Sequence, residues 1–105
     1  SFIIVGAKPS VCGDSGACKK LIDYLGKDRT IYWIDTYGKH LDIQKDVNNT
    51  IQRVVAANKN VQRIYWSKEG EKHPDWFYQD GVHLNPHGEK KYARFIMQMI
   101  QSSLD

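Results

Sequence analysis

The chain has 105 residues, a length that suits one small domain or part of one. Its hydrophobic content of 41% allows a modest core, and its formal charge of +3 comes from basic and acidic residues that are mixed along the chain. No block of like charge is typical of a nucleic-acid-binding tail, and no apolar run approaches the ~20 residues of a membrane span. We therefore expect a globular domain with no nucleic-acid partner.

Three short apolar runs, rich in β-branched or aromatic residues, predict β-strands. They are Phe2 to Val5, Ile31 to Asp35 and Val61 to Trp66. Helical spacing of apolar residues predicts one helix from Asp14 or Ser15 to Leu25 and a second from Asp42 to Asn58, with Asn48 and Asn49 on its solvated side. Strands that alternate with helices imply a parallel sheet.

The last helix is the best-marked element of the sequence. Asn85 is suited to cap it, and Pro86 stands at the first helical position, where its missing N–H is not needed. A long loop from Ser67 to Leu84 is expected before it. The predicted buried stripe of this helix comprises Tyr92, Phe95, Ile96, Met99, Ile100 and Leu104. The order is then β-α-β-α-β-α, and the loop follows the carboxyl end of the third strand, where such sheets bind ligands.

Asp80 and His83 stand three residues apart around Gly81, directly before the helix. In serine hydrolases an imidazole takes the serine proton, while a carboxylate fixes the imidazole tautomer and stabilises the imidazolium. The alternative is a polar turn with a capping aspartate and a solvent-exposed histidine. We favour the pair, with the Asp80 carboxylate accepting the Nδ1 proton of His83.

Two other groups of residues leave alternatives open. Histidines and aspartates from His73 to His87 could suggest a metal site, but a helix that starts between His83 and His87 keeps these two off one helical face, so we expect no metal. Cys12 and Cys18 are close enough in sequence to form a disulfide or to remain two ordinary thiols.

Gly13-Asp14-Ser15 and the aromatic run Trp76 to Tyr78 each allow a functional and a structural interpretation. Ser15 could be a nucleophile, but the tripeptide does not follow a strand directly, and both Asp14 and Ser15 suit helix capping. The rings, Trp76 in particular, could line a substrate groove or pack the loop onto the core. We assign Ser15 to capping and keep Trp76 as a candidate substrate contact.

The sequence resembles a known family. The segment Asp80-Gly81-Val82-His83-Leu84-Asn85, followed by Gly88 and Tyr92-Ala93, is similar to the C-terminal catalytic block of SGNH/GDSL hydrolases. The upstream Asp75-Trp76-Phe77 and the run IYWIDTYG strengthen the likeness. It is most similar to extracellular SGNH domains that are fused to membrane acyltransferases, such as peptidoglycan O-acetyltransferases.

The resemblance implies a three-layer, flavodoxin-like α/β fold with no metal and no cofactor. It implies serine-based deacetylation or acetyl transfer, with His83 as the base and Asp80 as its partner. Gly6 then falls at the oxyanion-hole block, where Lys8 occupies the place of the family's Asn. The location implied is extracytoplasmic, at the cell surface or secreted.

Aligned from its C-terminus, the chain matches only the later part of such a domain. Residues 1–105 are then a single α/β unit, incomplete at the N-terminus, and the remainder of the domain supplies the serine from before Ser1. The alternative is a miniature domain with Ser15 as nucleophile.

The expected function is an esterase or O-acetyltransferase acting on acetylated carbohydrate or cell-wall polymer, tethered to a membrane acyltransferase domain. The alternatives are a non-catalytic glycan-binding module and a fragment that is inactive without its nucleophile block.

Overall fold

The computed structural model describes residues 2–6, 15–39, 42 and 44–104, and at 15–18 it describes the backbone alone. Three strands form one parallel sheet in the order β1-β2-β3, with bounds Phe2–Gly6, Thr30–Ile34 and Val61–Ile64. Phe2 pairs with Thr30 at one end of the β1–β2 register, and Ile31 pairs with Val61 at the start of the β2–β3 register. The parallel α/β sheet that the alternating pattern predicts is therefore confirmed.

Helices cover both faces of this sheet. In chain order they are α1 (Ser15–Leu25), α2 (Gln44–Ala57), the short α3 (Trp66–Glu71), a single 3₁₀ turn (Pro74–Trp76) and α4 (Pro86–Leu104). None of these described helices is long and apolar enough to cross a membrane.

β2 is the central strand, and its side chains alternate between two cores. Ile31 and Trp33 face α1 and α2, whereas Tyr32 and Ile34 face α4. All four are at most 5% exposed. A strand that is buried on both faces has apolar residues at successive positions, which is why the sequence predicts β2 so clearly.

The predicted third strand and the loop after it need correction. The strand ends at Ile64, and Trp66, predicted to be its last residue, starts α3 instead. A carboxylate from the end of β2 causes this change, because Asp35 Oδ1 accepts the backbone N–H of Ser67 at 2.6 Å and so satisfies the first turn of α3. The expected long loop therefore contains a six-residue helix and a 3₁₀ turn.

The stripe predicted for α4 is correct in its centre and wrong near its C-terminus. Ile96 and Ile100 are buried, and Tyr92 and Phe95 pack against them. Met99 is 38% exposed and Leu104 is 65% exposed, so the described chain covers these two positions only in part. The polar Ser103 instead continues the inward face, with its hydroxyl 2.5 Å from that of Tyr32.

Candidate active site

A closed turn carries Asp80 and His83 between the 3₁₀ turn and α4. Gly81 adopts a φ of +69°, a left-handed conformation that glycine tolerates best. The N–H of Gly81 bonds to the carbonyl of Tyr78 at 2.9 Å, and the N–H of Tyr78 bonds to the carbonyl of His83 at 2.9 Å. The N–H of Lys39, in the loop after β2, bonds to the carbonyl of Gly81 at 2.9 Å. The turn therefore lies against the carboxyl end of the sheet.

Within this turn the Asp80 carboxylate contacts the His83 ring. Asp80 Oδ2 lies 2.6 Å from His83 Nδ1, while Oδ1 accepts the backbone N–H groups of Val82 at 2.9 Å and His83 at 3.0 Å. An ionised carboxylate can only accept, so Nδ1 carries the proton of this hydrogen bond, and in the neutral imidazole the lone pair is then on Nε2. The His83 side chain is 78% exposed, so Nε2 is open to a reacting group.

The hydrogen bonds also fix the charge of Asp80. They lower the pKa of this carboxyl from 3.8 to about 2, the largest contribution coming from the His83 side chain and the next from the Val82 and His83 N–H groups. Asp80 is therefore ionised throughout the neutral range. A permanently charged carboxylate beside Nδ1 is the arrangement that stabilises an imidazolium after Nε2 has taken a proton.

Asn85 holds the two ends of this segment together. Its side-chain Oδ1 accepts the N–H of Gly88 at 2.7 Å, so the predicted cap of α4 is confirmed. Its Nδ2 donates to the carbonyl of Asp75 at 2.8 Å, and its backbone N–H bonds to the carbonyl of Trp76 at 2.9 Å. The residue thus fixes the entry to α4 against the 3₁₀ turn, a role that its sequence position does not reveal.

Asp35 forms a second polar centre, which the sequence interpretation did not identify. Its side chain is fully buried. Oδ2 accepts bonds from Arg63 Nη2 at 2.9 Å and from the Ser67 hydroxyl at 2.6 Å. Burial, with a smaller contribution from the Asp35 charge, raises the pKa of the nearby Tyr92 phenol. This network joins the end of β2 to β3 and α3.

The loop that leaves β2 is fixed by Asn48, and here the sequence interpretation was wrong. We expected Asn48 to be solvated, yet it is buried, and its side chain exchanges two hydrogen bonds with the backbone of Thr36, at 2.9 and 2.8 Å. Its neighbour Asn49 is exposed as expected. These two hydrogen bonds position the backbone that leads to Lys39 and the Gly81 turn.

The remaining predicted site residues are placed as follows. Gly6 ends β1 opposite Ile34, at the same edge of the sheet from which the Lys39 loop starts. Trp76 is 7% exposed and its ring stacks between His73, at 3.7 Å between ring centroids, and Trp66, at 6.0 Å. Its ring is thus part of the core, and a contact with substrate remains a prediction for both Gly6 and Trp76.

Several predictions fall on residues outside the described part of the chain. These are the Asp14 cap, Lys8, Gly13 and the pairing of Cys12 with Cys18. Ser15 begins α1, but only its backbone is described. Among the described residues, no group of three or more histidine, cysteine, aspartate or glutamate side chains is arranged to hold a metal ion.

The fold and the site together define an α/β protein with an exposed Asp–His pair at the carboxyl edge of a parallel sheet. No protein-family profile matches the chain. Individual relatives do. The chain is 37% identical over 59 residues to YrhL of Bacillus subtilis strain 168, which is named as a candidate peptidoglycan O-acetyltransferase; the match covers 56% of this chain and 9% of that protein.

A second group of relatives matches more of the chain at lower identity. The O-acetyltransferase OatA of Staphylococcus aureus, in strain NCTC 8325 and in strain COL, is 29% identical over 99 residues. That match covers 86% of this chain and 15% of OatA. The homologues are thus O-acetyltransferases, at low identity, and this chain spans only a small part of their length.

Proposed function

We propose that this chain is the C-terminal part of an SGNH-type domain that cleaves or transfers acetyl esters on a cell-wall polymer or related carbohydrate. His83 is the general base, Asp80 orients it and stabilises its imidazolium form, and a serine from outside residues 1–105 is the nucleophile. The observation that carries the proposal is the 2.6 Å contact between His83 Nδ1 and Asp80 Oδ2, with Nε2 left open to solvent. The names of the O-acetyltransferase relatives support the choice of acetyl chemistry.

The chemistry proceeds in two proton-balanced steps. His83 Nε2 takes the serine proton as the serine oxygen attacks the acetyl carbonyl carbon, and the imidazolium then returns that proton to the departing alcohol oxygen. An acetyl-serine remains. An acceptor hydroxyl, or water, next loses its proton to Nε2 as it attacks the acetyl group, and the proton returns to the serine oxygen. Asp80 stays ionised in both steps, consistent with its lowered pKa.

The rest of the domain belongs to the same polypeptide, the location is extracytoplasmic, and a membrane acyltransferase domain supplies acetyl groups. The full flavodoxin-like strand order follows only if further strands continue the sheet beyond β1. The relatives, of which this chain spans 9% and 15%, support an arrangement in which it is one segment of a larger protein.

The experiment is acetyl-ester turnover by the full-length protein that contains this chain. His83→Ala and Asp80→Asn are each expected to lower kcat/KM for a small acetyl ester by roughly 10⁴-fold, because the pair acts mainly in the transition state. His87→Ala is the matched control, since His87 is an exposed histidine four residues further along, and it should leave turnover unchanged. Full turnover by His83→Ala would refute the proposal, and glycan binding without any turnover would favour a non-catalytic module.

A further inference from the structure

A cavity of about 770 Å³ opens beside the Gly81 turn, at the carboxyl ends of β2 and β3. Its walls come from five parts of the chain: the loop after β2, Gln44 at the start of α2, the helix α3, Pro74 in the 3₁₀ turn, and the stretch from Phe77 to Gly81. Its volume lies within the range of small-molecule and cofactor sites. Asp80 and His83 are not among its lining residues, so the cavity adjoins the pair without including it.

The walls of the cavity are held in place by bonds between these segments. The Gln44 side-chain oxygen accepts the N–H of Gly38 at 2.8 Å, and the Lys39 N–H bonds to the Gly81 carbonyl at 2.9 Å. On the α3 side, the Ser67 hydroxyl donates to buried Asp35 at 2.6 Å. A site whose walls are already fixed loses less freedom when a ligand binds.

The lining combines aromatic faces with planar polar groups. Tyr37 and Phe77 pack together at 5.3 Å between ring centroids, and the ring of Tyr78 is 56% exposed beside them. Because the Gln44 oxygen is used by Gly38, its amide N–H groups are left for a ligand, with no partner in the described part of the chain. Flat rings beside amide groups suit a sugar ring, which has an apolar face and a rim of hydroxyls.

The charge of the lining favours an anionic ligand. It contains Lys39 and Lys68 against a single carboxylate, Glu71. Neither lysine forms an ion pair with any residue that the structure describes, and the Lys68 ammonium lies 4.9 Å from the centre of the Tyr65 ring. The cavity therefore has an excess of one positive charge and two ammonium groups that are available to carboxylates.

We propose that this cavity is a binding subsite for a glycan segment that carries carboxylates, and that it holds the polymer while the Asp80/His83 pair acts on an acetyl ester nearby. The link to acetyl chemistry rests on the function proposed above, whereas binding itself does not. Lys39 and Lys68 contact the carboxylates, Tyr78 covers a sugar face, and the Lys39–Gly81 bond connects the subsite to the turn that carries His83.

The test is equilibrium binding by the full-length protein with His83→Ala, which removes turnover. The ligands are a soluble peptidoglycan fragment with free carboxylates and the same fragment with its carboxylates amidated. The free form is expected to bind about threefold to tenfold more tightly, as for exposed charge pairs, and the difference should shrink at high salt. The double variant Lys39→Gln/Lys68→Gln should bind both fragments equally, and Glu71→Gln should bind the free form more tightly.

Lys59→Gln is the control, because Lys59 is an exposed lysine at the opposite end of β3 and its loss should not change binding. Equal affinity for the two fragments, or equal weakening by Lys59→Gln and the double variant, would overturn the subsite. Small-ester turnover of Lys59→Gln, with His83 intact, should match that of the unaltered protein, because Lys59 lies outside the cavity and the candidate site. If the unaltered protein turns over no acetyl ester, the proposed function fails while the binding result still decides the subsite.

Discussion

Asp80 is held by three hydrogen bonds within its own turn, and its acidity is the most direct measure of them. Their effect, chiefly that of the His83 side chain, lowers the pKa of Asp80 from 3.8 to about 2. A carboxyl whose pKa is lower in the folded state adds stability above its unfolded-state pKa. That contribution disappears as the pH falls from 3.8 towards 2.

We predict an Asp80 carboxyl titration midpoint near 2 in the unaltered protein, followed by NMR. In His83→Ala the midpoint should rise towards 3.8, because the largest cause of the shift is removed. His73→Ala should leave the midpoint unchanged, since His73 pairs with Glu69 instead. An unaltered midpoint of 3.8 would mean that the carboxylate and the imidazole are not bonded in solution.

Gly88 leaves no room for a side chain, because the first turn of α4 packs directly against the backbone of the 3₁₀ turn. A Cβ at this position would lie 1.9 Å from the carbonyl oxygen of Trp76. The neighbour is backbone that also bonds to Asn85, so it cannot move without opening the segment. We predict that Gly88→Ala lowers the free energy of unfolding by about 1–3 kcal/mol in urea denaturation.

Lys90→Ala provides the comparison for Gly88→Ala. Lys90 is exposed in the same helix, so its replacement should stay within about 0.5 kcal/mol. If the two variants unfold at the same urea concentration, α4 does not pack against the 3₁₀ turn as closely as the structure shows.

At the scale of elements, Asp35 determines where β3 gives way to α3. Its carboxylate bonds to Arg63 on β3 and to Ser67 in the first turn of α3, and its side chain is fully buried. Asp35→Asn would leave the Arg63 guanidinium, only 13% exposed, without a carboxylate. We predict a loss of about 3 kcal/mol in the free energy of unfolding. Asp23→Asn, an exposed site on α1, should change it little; equal effects would contradict the network.

The elements that the sequence predicts well are those with a strong local signal. The two-sided apolar run of β2, the helical spacing of α2 and the Asn85-Pro86 start of α4 all depend on neighbouring residues. α3 has no such signal, because the carboxylate that starts it lies 32 residues upstream of Ser67. The burial of Asn48 is also a tertiary effect, since its partners are backbone groups of Thr36 on another segment.

The candidate site also has parts that the local sequence predicts and parts that depend on tertiary contacts. The Asp80–His83 contact lies within one turn, so the spacing of the two residues, together with Gly81 and the helix start that follows, was enough to predict it. The stacking of Trp76 and the cavity beside Gly81 each require several segments to meet. No sequence pattern predicts which faces of those segments come into contact. The sequence therefore predicts the contact between Asp80 and His83 better than it predicts the residues that surround them.

At the scale of the whole molecule, β1 is an edge of the described sheet and carries exposed apolar side chains. Phe2 is 43% and Ile4 is 44% exposed. An edge strand of this kind is a template for pairing with another chain. We predict that the 105-residue chain alone self-associates in sedimentation experiments, and that Ile4→Lys reduces this association. Gln62→Lys, on edge strand β3, is the control and should not; a stable monomer would contradict the prediction.

Covalent labelling tests most directly whether His83 activates a serine outside residues 1–105. The full-length protein is treated with a serine-reactive sulfonyl fluoride, and the modified residue is located by peptide mass spectrometry. We predict one rapidly labelled serine outside this segment, with labelling slowed by roughly 10⁴-fold in His83→Ala and unchanged in Ser15→Ala. Rapid labelling of Ser15, or labelling that is indifferent to His83, would contradict the account.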